Sequence, residues 1–525
     1  MINSAFKPWI YWYSSPGIKK GAVGIEKGQL RFLTNDQIKD IDDAAKEILE
    51  RTGVKVPNEA CLKLLKKAGT RVDFKEERTW IPASLVDEAL SKTPKTFDFA
   101  GRDPKKAITL DTERVYFVMG IAPHVVAPNG TMREATLKDM QDGYRVLDAC
   151  ENVDVAGVPF DGTISTPEEN MGLPVTVRRL RKYAMMLELM EKPVDMSRRY
   201  VIDREDETGD ARQAAMDQIE MEIAVRGSLK ELQRYPMSLG FNEALSPLMF
   251  LPRNLEKLRV YAEKGLPMFI GSGPMTNATG PATMAGTLAL WLAETLASLV
   301  IGYTAGDPSQ RSPALWMCFT GLFDQRVAHG PIMGSPEGAL IQSACAQIAH
   351  YYGFPLRGCI GSPSKALDPQ AGYETALCLL TSVMAGVNYN VSIGTVGPGE
   401  AGMSLEKMVL DDDLVGNIKR LMQGIDVSDE TLAVDIINEV GPGGSFIAHP
   451  HTRKWFRKEQ YFPTLFDRRK YEDWVRRGQK DAVQRAQERV QEILSDYWPE
   501  PLDPDIKKRI EAHVHMVEKR EARKG

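Results

Sequence analysis

Side chains able to act as nucleophiles or metal ligands are few and scattered along this chain. The 525 residues include only seven His and six Cys, and neither C-x-x-C nor H-E-x-x-H spacing occurs. His449 and His451 form an H-P-H pair, which is more typical of a surface or an interface than of a metal site. Cys318 lies in a predicted strand without a nearby His, so we interpret it as a core thiol. The sequence therefore predicts neither a catalytic triad nor a metal site.

Nucleotide and nucleic-acid chemistry are also disfavoured. The segment GSGPMTNATGP (271–281) lacks the glycine spacing of a dinucleotide loop, and no G-x-x-x-x-G-K-[ST] occurs. The 66 Lys and Arg against 71 Asp and Glu give a net charge of −5, so nucleic acid is not expected as a partner. The cysteine usage and the absence of a signal-peptide pattern at the N-terminus predict a cytoplasmic protein.

The remaining polar and aromatic candidates lie in or directly after predicted strands. They are Phe160, Asp161, Phe241, Asn242, Glu243, Ser272, Gly273, Trp316 and Phe319. Two loops add Asp324, Arg326 and His329 (322–340), and Asp368, Gln370 and Tyr373 (365–374). Two questions stay open. The small residues either build tight turns or leave room for a bulky ligand, and the loops are polar either for chemistry or because they meet solvent.

The hydrophobic pattern predicts the elements that would bring these residues to one edge. Strand-like runs alternate with helical stretches that often end in Gly. The runs are 153–160, 192–197, 235–242, 266–273, 313–320, 355–362 and 388–394. An eighth strand would be VYFVMG (115–120) or a strand near 440–447. This alternation predicts an α/β fold of the (β/α)8 TIM-barrel type rather than a doubly wound sheet, with the site at the carboxyl ends of the strands.

Four segments follow from this interpretation. Residues 1–33 form an aromatic N-terminal arm, and 34–135 form an α/β cap with helices over 34–53, 57–68 and 83–93. Residues 136–449 form the barrel, and 450–525 form a charged helical C-terminal appendage that we expect to be solvated.

One segment requires a membrane test. Residues 282–303 are almost wholly apolar and long enough to span a bilayer. Glu294 lies in the middle, however, and Thr279 with Pro281 offers the start of an ordinary helix. We therefore predict a buried helix of a large core and no membrane partner.

Several motifs resemble those of the trimethylamine methyltransferase superfamily, which contains corrinoid-dependent methyltransferases. They are SGPM followed by TGPATMAG, GSPEGALIQ, S-K-x-x-D-x-Q-A-G-Y-E, S-L-E-K-M-V-x-D-D and E-V-G-P-G-G-S-F-x-x-x-P-H-T. The likeness covers roughly residues 34–500 in the same order. It implies a (β/α)8 barrel and methyl transfer from a methylated amine to Co(I) of a cognate corrinoid protein. On this basis the partner supplies the cobalamin and this chain binds no cofactor.

One departure from the family bears on the methyl donor. Archaeal members carry pyrrolysine in or near the region of about 316–335, whereas this chain consists of standard residues. It is therefore similar to the non-pyrrolysine branch, which implies a quaternary amine such as glycine betaine. A quaternary nitrogen is already positively charged, so its neutral amine leaves without a general acid. Two alternatives stay open: a tertiary-amine, sulfonium or other methyl donor, and a non-catalytic betaine-binding protein.

The resemblance also suggests roles for the candidate residues. Aromatic faces would hold the trimethylammonium group, with Phe160, Phe241, Trp316, Phe319 and Tyr373 as candidates. Arg326, His329 or the Ser272–Gly273 backbone would bind a substrate carboxylate. Acidic or amide groups would face the cation, namely Asp161, Asn242, Glu243 and Glu400. The aromatic arm and the basic tail further indicate a homo-oligomer.

Overall fold

The chain folds as a mixed α/β protein around a large sheet that is mostly parallel. The computed structural model describes residues 23–24, 30–160, 173–195, 210–327, 330–359, 361–397, 399 and 401–523. Among these residues, eleven strands form the central sheet, four form a smaller sheet and two form a hairpin. The α/β class predicted from the sequence is therefore confirmed.

The strands are short, as is usual for a sheet that is covered by helices. In chain order they are β1 (Val23–Gly24), β2 (Val54–Lys55), β3 (Arg71–Asp73), β4 (Arg78–Trp80), β5 (Phe97–Phe99), β6 (Ile108–Leu110), β7 (Arg114–Met119), β8 (His124–Val126), β9 (Met132–Glu134), β10 (Gly240–Leu245), β11 (Met249–Phe250), β12 (Met268–Ser272), β13 (Ala314–Cys318), β14 (Leu356–Cys359), β15 (Tyr389–Ile393), β16 (Thr395–Val396) and β17 (Gly402–Met403).

The helices alternate with the parallel strands and dominate both ends of the chain. They are α1 (Asn35–Arg51), α2 (Glu59–Lys67), α3 (Ala83–Lys92), α4 (Leu137–Ala149), α5 (Val175–Leu189), α6 (Ala211–Arg226), α7 (Leu229–Arg234), α8 (Pro252–Glu263), α9 (Met284–Ala305), α10 (Pro336–Tyr351), α11 (Pro369–Ala385), α12 (Leu405–Met422), α13 (Asp429–Leu432), α14 (Val434–Val440), α15 (Pro450–Glu459), α16 (Tyr471–Arg476), α17 (Ala482–Asp496) and α18 (Pro504–Ala522).

The parallel part of the central sheet has the order β10–β12–β13–β14–β15–β7. Most of its residues are buried, because helices cover one face and side chains of the strands and of the β5–β6 hairpin form an apolar cluster on the other. β15 pairs in parallel with β7, so the last repeat lies beside the first parallel strand. Of the two candidates for an eighth strand, VYFVMG is confirmed as β7, whereas the alternative near 440–447 follows helix α14 and contains no strand.

A closed barrel is not confirmed. Isolated parallel bridges place Val155 beside Val118 and Val194 beside Ala156, which continues the parallel order beyond β7. Within the described residues, no ladder joins Val194 to β10, and the sheet instead continues from β10 through β11 to β2. The structure thus supports a mixed α/β fold with a parallel-rich sheet, and the (β/α)8 barrel stays a prediction.

The β5–β6 hairpin covers the amino-terminal ends of the parallel strands. Its Phe97, Phe99 and Leu110 belong to one buried cluster with residues that start the strands, such as Leu315. The backbone amide of Ala314 donates to Pro94 O at 3.3 Å, directly at the start of β13. One end of the parallel set is therefore packed shut by apolar side chains, and the opposite end leads into loops.

The predicted helices of the N-terminal segment are confirmed as α1, α2 and α3. Helix α1 begins after Thr34, whose side chain accepts from the Gln37 amide in a capping box. Its apolar face, including Ile38 and Leu49, packs in the same buried cluster as helix α9. The N-terminal segment is thereby attached to the central sheet through the longest helix of the fold.

Helix α9 is the apolar segment that required the membrane test. It is the one described helix that is long and apolar enough to cross a membrane. Of its most apolar 18-residue stretch, 83% is buried inside the protein. Its N-cap is Thr283, not the expected Thr279, because the Thr283 side chain accepts from the Gly286 amide. Thr279 instead accepts from the Met275 amide at 2.9 Å within the preceding loop. The prediction of a buried core helix is confirmed.

Three consecutive aspartates on α12 each fix a different segment. Asp411 accepts from the Lys407 ammonium at 2.6 Å and from the Gly394 amide at 2.8 Å, just after β15. Asp412 accepts from the Asn152 amide at 2.7 Å, just before the 153–160 run. Asp413 accepts from the Tyr461 hydroxyl at 2.8 Å and from three backbone amides of residues 464–466. The aspartates of the S-L-E-K-M-V-x-D-D motif therefore have a structural role, since they connect α12 to neighbouring segments.

The C-terminal helices are less solvated than their charge content suggests. Helix α17 packs against α12 and α4, and helix α18 packs against α5 and α6. Val490, Ile493 and Val517 lie in the same buried cluster as residues of β7 and β15, such as Phe117 and Ile393. The expected solvated appendage is in part an additional helical layer, because α17 presents an apolar face that a count of charges does not reveal.

Candidate functional site

The candidate site starts from one row of side chains on the inner face of the parallel strands. Strand register pairs Glu243 with Gly271, Gly271 with Met317, Met317 with Arg357, and Arg357 with Tyr389. We call these five residues the inner row. Residues paired in this way lie on one face, and Met317 and Tyr389 belong to the inner apolar cluster. The inner row therefore combines a carboxylate, a guanidinium and a phenol in an apolar setting.

Arg357 is the central polar group of the inner row. Its side chain is 2% exposed, and its guanidinium carbon lies 5.3 Å from the centre of the half-buried Phe319 ring. A buried guanidinium persists only with compensating groups. Arg357 and Asp195 both lie close enough to the buried Tyr389 hydroxyl to influence its pKa. Burial, with Asp195 as the next contribution, holds the pKa of Tyr389 well above its usual range, so this hydroxyl stays protonated.

The end of β15 beside this row is conformationally strained. Ser392 has φ 95°, in the left-handed region that non-glycine residues rarely adopt, and the ladder to β7 shifts between Asn390 and Ile393. The Ser392 hydroxyl lies 3.0 Å from the Cys359 sulfur on β14. Strained backbone persists where the surroundings enforce it, and such positions cluster at functional sites. Sequence patterns did not indicate Ser392, because the hydrophobic pattern of a strand does not reveal the φ angle of a residue.

The turn after β10 positions the other end of the row. Glu294 of α9 is fully buried and accepts from the Ser246 hydroxyl at 2.8 Å and from the Leu248 amide at 2.7 Å. Burial raises the pKa of Glu294 to about 7, against the opposing effect of the Ser272 hydroxyl, the Leu248 amide and the Ser246 hydroxyl. Glu243 lies on β10, three residues before Ser246, and is half-buried. Helix α9 therefore fixes the backbone that carries Glu243.

A second buried polar cluster lies behind the row, between α6 and α8. Glu222 accepts from the Tyr183 hydroxyl and the Gln218 amide, each at 3.0 Å. Burial lowers the pKa of Lys257 to about 7, against the opposing effect of Glu222 and Asp195. Sequence patterns did not indicate this cluster, because its members are spread over three helices. Through Asp195 it adjoins Tyr389 and hence the inner row.

Three of the predicted site residues face away from the inner row. Asn242 donates to the Ser298 hydroxyl of α9 at 3.1 Å, and Ser272 lies beside the Glu294 carboxylate. The Trp316 ring stacks on Phe354 with 4.9 Å between the ring centres, inside the helical layer. Successive residues of a strand point to opposite faces, so one-position errors in a strand reverse the direction of the side chain. These three residues lie outside the proposed site.

Phe241, Phe160 and Gly273 lie closer to the expected region. Phe241 belongs to the inner cluster, with its ring centre 5.7 Å from that of Phe269. Phe160 is fully buried, has φ 56°, and packs beside Gly143 of α4. Gly273 lies against Phe319, where an added Cβ would come within 3.0 Å of the Phe319 side chain. Asp161, His329 and Glu400 lie outside the described residues.

The glycines of the rim are explained by close packing. An added Cβ on Gly271 would come within 2.1 Å of the Met317 backbone oxygen, at a φ of 154°. An added Cβ on Gly157 would come within 2.3 Å of two backbone oxygens of the adjacent β7 end. Gly271 lies within β12 and not in a turn, so at these two positions glycine is explained by contact with the neighbouring strand.

The loop residues predicted from the sequence lie at or near the surface. Asp324 pairs with Arg326, whose side chain is 88% exposed, and this pairing lowers the pKa of Asp324 to about 2. Asp368 is the N-cap of α11 and accepts from the Ala371 amide at 3.0 Å. Gln370 donates to Glu374 at 2.9 Å, and Tyr373 is 68% exposed. None of the five contacts the inner row in the described structure.

These loops nevertheless form a connected platform at the carboxyl ends of the strands. The Thr276 amide after β12 donates to Gly321 O after β13 at 3.0 Å. The segments after β7 and β15 join in the four-stranded sheet β16–β17–β8–β9. The Leu367 amide after β14 donates to Pro128 O at 3.1 Å. We call the loops that follow β7, β12, β13, β14 and β15 the loop platform.

The cysteines and histidines do not form a second site in the described part of the chain. All six cysteines are free and buried, and no group of three or more His, Cys, Asp or Glu side chains could hold a metal ion among the residues placed. His449 caps α15 by accepting from the His451 amide at 3.1 Å. His350 contacts the Asn388 side chain at 2.8 Å, and burial lowers its pKa.

Comparison with known proteins adds independent information. The profile of the family described as trimethylamine methyltransferase (MTTB) matches residues 17–525. A glycine betaine methyltransferase of Desulfitobacterium hafniense (strain Y51) is 31% identical over 485 residues, which cover 92% of this chain and 96% of that protein. A trimethylamine methyltransferase MttB of Desulfitobacterium hafniense (strain DSM 10664 / DCB-2) is 29% identical over 506 residues, 95% and 97% of the two chains. One from Methanosarcina thermophila is 29% identical over 499 residues, 92% and 97%.

Proposed function

The chain is a methyltransferase that belongs to the trimethylamine methyltransferase family, and from this premise we propose that its methyl donor is a quaternary amine of the betaine class. The acceptor in this proposal is Co(I) of a cognate corrinoid protein, which brings the cobalamin to the enzyme. The chain itself contributes binding and orientation of the amine.

The main support for this proposal is that the Arg357 guanidinium lies beside the Phe319 ring on the inner face of the sheet. A betaine has a trimethylammonium at one end and a carboxylate at the other. A guanidinium binds a carboxylate through two parallel hydrogen bonds, and an aromatic face attracts a quaternary ammonium. With 5.3 Å between the Arg357 guanidinium carbon and the Phe319 ring centre, the two groups suit the two ends of one small zwitterion.

Glu243 completes the electrostatics of this arrangement. It lies three strands from Arg357 in the inner row, about 14 Å along the sheet at about 4.8 Å per strand. In the proposed barrel, curvature of the sheet and the lengths of the two side chains would shorten that span toward the size of a betaine. A half-buried carboxylate at the far end would attract the cation while Arg357 holds the anion.

Methyl transfer requires little of the protein beyond this placement of the amine. In this proposal the carbon–nitrogen bond would break with its electron pair staying on nitrogen, and the electron pair of Co(I) would form the new cobalt–carbon bond, which gives methyl-Co(III). The leaving tertiary amine is neutral, so no side chain has to deliver a proton in this step. Orientation of one methyl group toward the carboxyl ends of the strands, in a site without bulk water, is the contribution of the inner row.

The same proposal includes a complete (β/α)8 barrel. The parallel pairing of β15 with β7 and the bridges from Val118 to Val155 and from Ala156 to Val194 support an eight-stranded order. In a barrel, the inner row would face an enclosed volume and the loop platform would surround its entrance. The exposed Asp324, Arg326 and Tyr373 would then meet the partner protein rather than the amine. A cytoplasmic location remains part of this proposal.

A donor panel with the purified enzyme tests the proposal. Reduced corrinoid protein is mixed with the enzyme and with glycine betaine, other betaines, choline, trimethylamine or a sulfonium, and the visible spectrum of the corrinoid is followed. We expect methylation with a carboxylate-bearing quaternary amine. Methylation by trimethylamine alone would contradict the donor class. Saturable betaine binding by calorimetry without any methylation would instead favour a non-catalytic betaine-binding protein.

The Arg357→Lys variant tests the role of the carboxylate. The Lys ammonium keeps the charge but loses the paired hydrogen bonds. We expect kcat/KM for a betaine to fall roughly 10- to 100-fold, in line with the loss of charge-assisted bonds, and kcat/KM for choline, which has no carboxylate, to change little. A thermal melt confirms that the variant is folded. An equal loss with both donors would contradict carboxylate binding by Arg357.

A further inference from the structure

The segment 423–450 contains no residue that is buried against the described part of the chain. It contains helices α13 and α14, of four and seven residues. Isolated helices shorter than about 12–15 residues are marginally stable in water, because their few hydrogen bonds do not offset the free-energy cost of nucleating the helix. We call residues 423–448 the acidic arm. In proteins, such short helices are stabilised mostly by packing against another surface.

The arm is strongly apolar for an exposed segment. Seven of its large apolar side chains are more than two-fifths exposed, namely Ile425, Val427, Leu432, Val434, Ile437, Phe446 and Ile447. Ile436 and Val440 are half-buried. Ile425 and Ile447 are 87% and 88% exposed. Contiguous exposed apolar surface on a soluble protein marks an interaction site. A stable interface takes about 20–30 residues from each side, and the arm alone matches that number.

The charge of the arm identifies the kind of surface that it fits. Between residues 421 and 452 there are five acidic residues and no Lys or Arg. The next segment is basic and aromatic, since helix α15 carries Arg453, Lys454, Arg457 and Lys458 around Trp455 and Phe456. Helix α15 also has no buried residue. One chain therefore presents an acidic apolar surface and a basic aromatic surface side by side.

Contacts within the chain use only part of this complementarity. Lys454 pairs with Glu430, and His449 lies 3.6 Å from Glu439. Among the described residues, Asp426, Asp429 and Asp435 of the arm form no ion pair. Two copies related by a twofold axis can place each arm on the other copy's helix α15, because such an interface uses the same two surfaces on both subunits.

We propose that the acidic arm packs on helix α15 of a second copy of this chain and forms a symmetric dimer. The full-length enzyme is examined by sedimentation equilibrium. The expected mass is 117 kDa or a multiple of it, from two chains of 58.5 kDa each. The double variant Ile425→Glu with Ile447→Glu should weaken association at least roughly tenfold, because two buried isoleucines would become charged. The matched control is Met516→Glu, on an exposed position of α18.

A charge exchange makes the test specific for the two surfaces. Asp429→Lys with Asp435→Lys, and separately Arg453→Glu with Lys458→Glu, should each weaken the dimer, and all four changes together should restore it. A monomeric wild-type enzyme at every concentration would overturn the proposal. A quadruple variant that associates no better than either double variant would also overturn it. Variants of the acidic arm that remain dimeric but lose binding to the corrinoid protein would overturn it as well. None of these outcomes depends on which amine is the methyl donor.

Discussion

Phe319 is the residue at which the proposed substrate cation and the buried arginine meet. Its ring is half-buried and lies beside Arg357, with Gly273 against its side chain. In Phe319→Leu the site keeps an apolar side chain and loses the aromatic face. We expect the betaine Kd to rise roughly 2- to 30-fold, the equivalent of about 0.5–2 kcal/mol for one cation–π contact. Isothermal calorimetry measures the change.

The control for this variant is Phe74→Leu, at an exposed ring of the N-terminal segment. It removes an aromatic face that also lies near a lysine, 5.3 Å from the Lys66 ammonium. We expect no change in the betaine Kd. An unchanged Kd in Phe319→Leu as well would mean that the ring does not contact the cation.

Glu294 gives the fold a dependence on pH. Its pKa is raised from 4.5 to about 7 in the folded state by burial, so the native protein holds this proton more tightly than the unfolded chain. The stabilising contribution is complete below about pH 4.5 and is lost as the pH rises through about 7, on the order of 3 kcal/mol in total. Relative to Glu294→Gln, the wild-type enzyme should therefore lose stability between pH 5 and pH 8 in urea titrations.

The comparison variant for this titration is Glu76→Gln, at an exposed turn of the N-terminal segment. Its stability should follow the wild-type pH profile. If Glu294→Gln also follows that profile, the carboxylate of Glu294 is ionised at neutral pH and the raised pKa is wrong.

At the scale of elements, Asp413 attaches the C-terminal segment to the rest of the fold. One carboxylate accepts from the Tyr461 hydroxyl and from three backbone amides. Asp413→Ala leaves these buried donors without an acceptor, which should cost about 3 kcal/mol. Amide hydrogen exchange should accelerate first at residues 464–466. Asp40→Asn, at an exposed position of α1, is the control and should change neither quantity.

The loop platform leads to a prediction about the partner protein. Arg326 is exposed beside Asp324 on the loop after β13. In Arg326→Glu we expect the KM for the corrinoid protein to rise several-fold, since a reversed charge at an interface rim slows association. The betaine Kd should stay constant because Arg326 does not contact the inner row. Lys67→Glu on α2 controls for net charge, and an equal effect there would argue against docking at the platform.

The elements were largely predictable from the sequence, whereas the directions of side chains were not. Helices α1, α2, α3 and α9 follow from caps and apolar periodicity, and the parallel strands follow from short apolar runs between glycines. Trp316 shows the limit. A strand that is apolar on both faces carries no alternation from which to read which residues point inward. Arg357 was overlooked for the same reason, as a single charge within the run PLRGCIGS.

The family motifs show a related limit. Ser335 and Asp368 cap α10 and α11, and Gln342 joins the ends of β13 and β14 by bonding to Thr320 O and the Cys359 amide. These motif residues hold the loop platform in place. The inner row, by contrast, depends on the register between distant strands, which a single sequence does not specify.

For the whole molecule, the dimer makes stability depend on concentration. A protein whose folded form associates is stabilised by mass action. The melting temperature of the wild-type enzyme should rise with its concentration, and that of Ile425→Glu with Ile447→Glu should be lower and less dependent on concentration. Differential scanning calorimetry over a hundredfold range of concentration would measure this difference. A wild-type melting temperature that stays constant would contradict a dimer held by the acidic arm.

The β5–β6 hairpin, which packs the amino-terminal ends of the strands shut, has a consequence for the kinetics of the proposed reaction. In the proposed barrel, a small amine and a large cobalt-carrying protein would both have to approach the inner row from the side opposite this hairpin. The amine has to enter before the partner docks, and the demethylated product has to leave after the partner departs. Such a compulsory order predicts that high concentrations of the corrinoid protein slow turnover at low amine, an inhibition that saturating amine removes.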